Sequence, residues 1–299
     1  MLERTCIHEI ALSPKETEKA EQFSRRFSED AYGSDFDKYD CALREHLSDL
    51  PESLTRVVQT FGDNLGSAGI LRVKGLPVNR DLPLTPSVSY SEIRLPTGTE
   101  PLVLGVAMLT GQPVAMKAWR GGDRVHNVYP LPADAETMKA SGSVRLAMHT
   151  EAAFRVGAPD AFVLLCLRAG SQPPRTGFCD LLPVWEQLES SERSLLADNA
   201  FAFPGAGGVL RDFKPVATSH RGQLRFQYDN NMRAATPEHE EALDAFAKGI
   251  EAGATETTLA AGDLFLIDNR HTAHGRSQYG PRYDGSDRWL QRCLVQARG

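Results

Sequence analysis

The sequence predicts a β-rich α+β fold, a barrel or sandwich of short strands carrying accessory helices. Three observations lead there. Helical periodicity is concentrated at the front of the chain and in later insertions. Short apolar or alternating runs lie between these helices, and the chain ends in a long alternating strand. At 299 residues the chain can bury a substantial core, and β-barrel enzymes often run this long as one domain. The expectation is therefore a single domain over 1–299. Residues 1–68 form a helical N-terminal region packed on the barrel, and 69–299 form the core with its inserts.

Residues 13–29 read as a helix. Ser13 is placed to cap it, Pro14 falls at its first position, and Glu16 and Glu18 follow in the first turns. Ala20, Phe23 and Phe27 supply a buried stripe. Residues 35–50 are polar and weakly helical. From Pro51 to Leu65 the residues Leu54, Val57, Val58, Phe61 and Leu65 follow the helical period, and Gly66 and Gly69 end it. Residues 69–76 alternate and stop at Pro77, which reads as a strand. Residues 79–99 contain three prolines and read as a loop. Residues 102–109 are apolar throughout, and periodicity does not separate a buried helix from a buried strand there. Residues 125–129 and 161–167 read as strands, 134–139 as a helical turn, and 181–198 as a broken helix. Residues 224–228 alternate. Residues 237–250 form a helix capped by Thr236, with Leu243, Phe246 and Ile250 on one face. Residues 263–267 and 288–296 are strands.

Composition is ordinary for a globular protein, at 41% hydrophobic and 24% charged residues. A net charge of −6 argues against non-specific nucleic-acid binding, which needs basic surface. The five cysteines are odd in number, scattered, and without a C-x-x-C, so neither a disulfide framework nor a structural zinc site is expected. Reduced thiols fit a cytoplasmic protein. The first ten residues carry Glu3, Arg4, His8 and Glu9 and do not read as a signal peptide. Apolar runs such as 161–167 are far too short to span a membrane.

Two distant stretches carry chemistry. The first is His149-Thr150-Glu151. In extended backbone, positions i and i+2 share a face, so both side chains would reach one ion. Alone, the pair reads more readily as solvated polar residues. The second stretch runs from Asp268 through His271 and His274 to Arg288 and Arg292. Two imidazoles and one carboxylate on one side of a metal leave positions open for substrates, as in non-haem Fe(II) oxygenases. Spacing does not choose between His271 and His274. In the tail strand Arg288, Leu290 and Arg292 share one face, the two arginines about 13 Å apart at roughly 3.3 Å per residue. Pointing outward they are ordinary surface charge. Pointing inward they need carboxylates, which a planar guanidinium binds bidentately.

These residues resemble the clavaminate synthase-like, TauD-related family of Fe(II)/2-oxoglutarate-dependent oxygenases, which includes hydroxylases of free arginine, asparagine and lysine. The resemblance covers roughly residues 69–298. It rests on His149 to Phe154, Pro159-Asp160, Leu165 to Arg168, and above all Asp268 to Arg276 with Pro281 to Gly285 and Asp287 to Leu290. It implies a double-stranded β-helix (jelly-roll) core with N-terminal and inserted helices. It also implies His149, Glu151 and His274 as iron ligands, with His271 a neighbour, Arg288 as the anchor of 2-oxoglutarate, and Thr176 as a second contact to that cosubstrate. With O2 as oxidant, the implied reaction is hydroxylation of an unactivated carbon of a small amino acid or amino-acid-like molecule in secondary metabolism. The related halogenases carry a small residue where this chain has Glu151, so hydroxylation or desaturation is implied rather than halogenation.

For the substrate the resemblance implies Arg292 against an α-carboxylate, and Ser141 or Ser143 as a polar helper. Two positions depart from the family pattern. Arg120 stands where relatives carry Gln or Glu, and would repel an ammonium group. In Tyr228-Asp229-Asn230-Asn231-Met232 only Asp229 is acidic, where relatives acting on cationic amino acids have two carboxylates. A neutral, anionic, modified or carrier-bound substrate fits these changes. A zinc hydrolase is a second reading of a His-His-Glu set, but no H-E-x-x-H or G-x-S-x-G accompanies it, and Arg288 and Arg292 would have no task. A non-catalytic binding module is a third, and it predicts missing ligands, whereas all three ligands are present.

Overall fold

The structure is a computed structural model that describes residues 7–27, 31–32, 36–89, 95–115, 122–155, 157–203, 210, 212–220 and 222–298. In chain order the elements are β1 (Ile7–Ala11), α1 (Pro14–Arg26), α2 (Phe36–Glu45), α3 (Glu52–Asp63), β2 (Ile70–Lys74), α4 (Glu100–Thr110), β3 (Gln112–Val114), β4 (Val125–Val128), β5 (Leu146–His149), β6 (Ala161–Arg168), β7 (Thr176–Asp180), α5 (Leu181–Gln187), α6 (Ser190–Leu196), β8 (Phe201–Ala202), β9 (Ala217–His220), β10 (Gln223–Phe226), β11 (Arg233–Ala234), α7 (Pro237–Gly253), β12 (Thr255–Thr257), β13 (Leu264–Asp268), β14 (Thr272–Arg276) and β15 (Trp289–Gln296). The result is a sheet-rich α+β fold.

The large sheet runs β1-β2-β13-β6-β15-β3, with β4 also paired to β15. Only β1 and β2 are parallel, so the N-terminal region expected to be helical also contributes a strand. A smaller antiparallel sheet has the order β12-β7-β14-β5. β6 shows why its sequence is apolar without alternation. Ala161, Val163, Leu165 and Leu167 join the core beneath the helices, and Phe162, Leu164 and Cys166 join the core that also holds Phe178 of β7. Both faces are covered, so both must be apolar.

The helices follow local rules. Ser13 caps α1 in a reciprocal box: the Ser13 N–H donates to Glu16 Oε2 (2.8 Å) and the Glu16 N–H donates to Ser13 Oγ (3.4 Å). α4 is buried at every residue, lying among α1, α3, β6 and β15. A helix buried all round has no polar face, which is why its sequence did not distinguish helix from strand. α7 is capped by Thr236 and packs Phe246 and Ile250 into a core shared with Leu181, Val184 and Ala273. The four described cysteines, Cys41, Cys166, Cys179 and Cys293, are thiols. Among the described residues no helix is long and apolar enough to cross a membrane.

Asp160 ties the strand ends together from a buried position. Its Oδ1 accepts from Arg225 Nη1 (2.7 Å) and Arg270 Nε (2.9 Å), and its Oδ2 accepts from the Gln296 side chain and the Ala297 N–H (2.8 Å). Burial alone would raise the pKa of this carboxyl. Arg270, the Ala297 N–H and Arg225 outweigh it and hold the pKa below its usual value. A depressed folded pKa stabilises the fold above the unfolded value of about 3.9, and that stabilisation is lost as pH falls through the folded pKa. Breaking a buried pair by removing one partner costs about 3–5 kcal/mol. Because both arginines keep some solvent contact, Asp160→Asn should cost about 3 kcal/mol at neutral pH, the low end of that range. In denaturant titrations the gap to the unsubstituted protein should narrow once the pH is well below the normal carboxylate range. A pH-independent gap would contradict the ionic account.

Candidate active site

The site lies between the two sheets, where β5, β14 and β15 converge on one cavity. β14 pairs with β5 so that His274 stands opposite His149, with ring centroids 4.3 Å apart. Gly275 makes that approach possible: a Cβ there would lie 2.8 Å from the Leu146 carbonyl oxygen and 2.9 Å from Met148 Sδ. His149 Nδ1 is 2.9 Å from the Ala147 carbonyl. A carbonyl only accepts, so Nδ1 carries the proton and Nε2 is left with its lone pair for a ligand.

Glu151 reaches the same point by a different route from the one the sequence suggests. β5 ends at His149, and Glu151 sits in the turn that follows, ahead of Ala152 with φ of 56°. The two side chains converge because the chain turns, not because they share one face of a strand. The turn is held by neighbours. The Thr150 N–H donates to the Tyr228 carbonyl (2.8 Å), the Tyr228 N–H donates to Thr150 Oγ1 (3.1 Å), and the Asn269 side chain bonds both backbone groups of Glu151.

His149, Glu151 and His274 each offer one donor atom, and all three atoms lie within 4.8 Å of one another. His271 is not in this group. It faces the other way, its Nε2 donating to the Leu224 carbonyl (2.6 Å). The structure therefore chooses between the histidines on geometry alone. Burial, then the neighbouring His149, then Arg292 push the His274 pKa well below its ordinary value. A neutral imidazole is the ligating form. Two neutral nitrogens and one carboxylate oxygen fit a divalent metal, and three protein ligands leave coordination positions open.

Both tail arginines are buried, so the surface-charge reading of that strand face does not hold. Arg288, Leu290 and Arg292 line the same cavity, as period-2 spacing requires. The opposite face is buried as well. There Gln291 Nε2 donates to Glu100 Oε1 (2.9 Å) and Thr97 Oγ1 (3.0 Å), and Trp289 Nε1 donates to Asn127 Oδ1 (2.8 Å). Arg292 Nη1 donates to Glu151 Oε2 (2.8 Å), gripping the carboxylate that also lies 3.7 Å from His274 Nε2. Arg288 forms no ion pair with any described carboxylate, and its pKa is lowered by burial. A buried guanidinium without an acidic partner is costly and calls for an anion. In the wall of the same cavity, the buried Thr176 hydroxyl makes no hydrogen bond to a described residue. These two groups fit a dicarboxylate whose far end would lie against them.

The cavity encloses about 490 Å3, room for two small molecules beside a metal. Asp229, Asn230 and Asn231 form one wall, with the Asn231 N–H donating to Asp229 Oδ1 (2.8 Å). Ser141 also lines it, its hydroxyl donating to Asp134 Oδ2 (2.6 Å). Ser143 instead bonds the Ala135 carbonyl (2.8 Å), the ordinary role of a loop hydroxyl. Arg120 lies outside the described residues. Sequence reasoning gave no role to Arg276, which lines the cavity and donates to the carbonyls of Ala140 (3.0 Å) and Val144 (2.8 Å). Burial, and then Arg288, bring its pKa down to about 10. It also missed Phe154 and Met138, large apolar side chains exposed at the cavity wall.

Comparison with known proteins follows from this geometry. Residues 208–294 match the sequence profile described as "Taurine catabolism dioxygenase TauD, TfdA family". The chain is 31% identical to the L-asparagine oxygenase of Streptomyces coelicolor, over 96% of this chain and 89% of that protein. It is 29% identical to the L-lysine 3-hydroxylase of Catenulispora acidiphila, over 84% of this chain and 74% of that one. Its backbone is similar to the crystal structure of asparagine oxygenase in complex with Fe(II), (2S,3S)-3-hydroxyasparagine and succinate. The TM-score is 0.88 at 30% identity, covering 97% of this chain and 94% of the other.

Proposed function

The chain belongs to the TauD, TfdA dioxygenase family as an Fe(II)/2-oxoglutarate-dependent oxygenase of the amino-acid hydroxylase type, and we propose that its reaction is carried by His149, Glu151, His274, Arg288, Thr176 and Arg292. The observation that carries this reading is the coincidence, in one cavity, of a three-donor metal site and a buried arginine with no acidic partner among the described residues. The two facing sheets with inserted helices then correspond to a double-stranded β-helix.

Bound Fe(II), with 2-oxoglutarate and O2, supplies an oxidant strong enough to replace C–H by C–OH while 2-oxoglutarate becomes succinate and carbon dioxide. The chain's own residues supply placement. His149 and His274 present neutral nitrogens from two paired strands, and Glu151 presents a carboxylate oxygen from the adjoining turn. Arg288 neutralises the far carboxylate of the cosubstrate, and the Thr176 hydroxyl donates to the same group. The apolar walls, Val128, Phe162, Leu164 and Leu290, keep water from that end of the cavity. Because Glu151 fills a ligand position with a carboxylate, the outcome is hydroxylation or desaturation rather than halogenation, and the similarity to hydroxylases favours hydroxylation.

The substrate is a small amino acid or amino-acid-like molecule, as for the relatives. Arg292 takes its α-carboxylate. Its guanidinium lines the cavity with Nη1 on Glu151 Oε2 and Nη2 3.5 Å from His126 Nδ1, and a guanidinium's five N–H donors can serve more than one acceptor. Asp229 is the acidic group left for an amine or amide, beside the neutral Asn230 and Asn231, with Ser141 and Arg120 as further contacts. One carboxylate instead of two suits a substrate less cationic than arginine or lysine. The resemblance to the clavaminate synthase-like family supports a reaction in secondary metabolism. Incubating the protein with Fe(II), 2-oxoglutarate and single amino acids should give a product heavier by one oxygen atom for at least one of them. Arg292→Ala should raise KM for that amino acid by a larger factor than KM for 2-oxoglutarate. Equal losses for both would contradict this division of labour.

A further inference from the structure

The turn that carries Glu151 poses a problem that the metal site alone does not solve. Glu151 is buried and lies beyond the end of β5, so its backbone N–H and C=O have no strand ladder to satisfy them. The following residue, Ala152, has φ of 56°, which keeps the turn from continuing as strand. Both groups are met by one side chain. Asn269 Oδ1 accepts from the Glu151 N–H at 2.6 Å, and Asn269 Nδ2 donates to the Glu151 carbonyl at 3.1 Å. Nδ2 also donates to the Pro159 carbonyl (2.8 Å), and the Asn269 N–H donates to the Asp160 carbonyl (2.9 Å). Asn269 itself is 2% exposed and lies in the turn between β13 and β14, five residues before His274.

We propose that Asn269 is a positioning residue for the metal carboxylate: its amide stands in for a missing neighbouring strand and fixes Glu151 relative to His274. The chemistry explains the residue type. Only a primary amide presents an acceptor and a donor side by side at this reach. Aspartate keeps the acceptor but puts a carboxylate against two carbonyl oxygens, and alanine leaves two buried backbone groups unmet. Arg292 holds the other end of the same side chain at Oε2. The carboxylate is thus fixed at its root by Asn269 and at its tip by Arg292. Two of the three donors, Glu151 and His274, are set by one short segment, 268–274.

This inference rests on Glu151 being a metal ligand, and the test separates the two claims. Mn(II) is titrated into the protein without 2-oxoglutarate, and free Mn(II) is followed by electron paramagnetic resonance. Outer partners of metal ligands typically change affinity by about 10–100-fold, so Asn269→Ala should weaken Mn(II) binding within that range. Asn269→Asp should weaken it less, and it decides the question if the alanine variant does not fold. Asp263→Asn is the control: it breaks a buried ion pair with Arg72 (2.6 Å) at the opposite end of β13 and should lower Tm while leaving Mn(II) affinity unchanged. Unaltered affinity in both Asn269 variants would overturn the positioning role, as would an equal loss in Asp263→Asn at matched Tm. If Glu151→Ala also binds Mn(II) as the unsubstituted protein does, the ligand assignment itself fails, and the positioning role falls with it.

Discussion

Replacing His149 or Glu151 by alanine should reduce succinate production to background while leaving the fold in place. The reason is the economy of the site. Among the described residues one cluster of three donors meets the distance requirement for a metal, and each donor comes from a different backbone environment. Among the described residues no fourth His, Cys, Asp or Glu joins the cluster, and His271 is turned toward Leu224. The two variants should differ in one respect. Glu151→Ala also removes the carboxylate that Arg292 grips, leaving a buried guanidinium without it. It should therefore be the less stable of the two unless an anion is bound, and added 2-oxoglutarate or chloride should recover part of its Tm. Unchanged succinate production in His149→Ala would sink the assignment of the site.

Arg288→Ala has the second largest expected effect, and it should appear chiefly in the 2-oxoglutarate requirement. Removing one partner of a buried, hydrogen-bonded charge pair costs about 2–5 kcal/mol, which at 1.4 kcal/mol per decade is roughly thirtyfold or more in KM. Turnover at saturating 2-oxoglutarate should fall much less, because the proposed contact of Arg288 is with the far end of the cosubstrate and not its reacting end. Without the cosubstrate the same change should stabilise the protein, since it removes a buried cation that has no described acidic partner. A variant that loses turnover at saturation with KM unchanged would place Arg288 at the chemistry instead of at the anchor.

Much of this site was legible before the structure. The tail strand showed itself because period-2 spacing puts Arg288, Leu290 and Arg292 on one side, and the cavity is lined by those three residues. Other features were hidden for physical reasons. α4 is buried on every side and carries no periodic signal. β7 and β14 read Thr-Gly-Phe-Cys-Asp and Thr-Ala-His-Gly-Arg, short runs in which Gly177 and Gly275 interrupt the apolar pattern. The convergence of His149 and Glu151 was expected from extended backbone, but a turn produces it. Asn269 was visible only as part of a motif. Its partner, Glu151, is 118 residues away, and local propensity says nothing about a side chain that completes another segment's backbone. The pairing of Arg292 with Glu151 is equally a product of tertiary closure. β15 and the turn after β5 are distant in sequence and adjacent only once the two sheets face each other.

As proposed, this cavity couples 2-oxoglutarate breakdown to oxidation through Fe(II). The most direct measurement is succinate formed per mole of protein in air, with Fe(II) or with Zn(II) in the site, in the presence of an amino-acid mixture. The account expects 2-oxoglutarate to be converted to succinate with Fe(II) and oxygen, and not with Zn(II) or under nitrogen. Intact 2-oxoglutarate with Fe(II), together with hydrolysis of a substrate by the Zn(II) form, would contradict it.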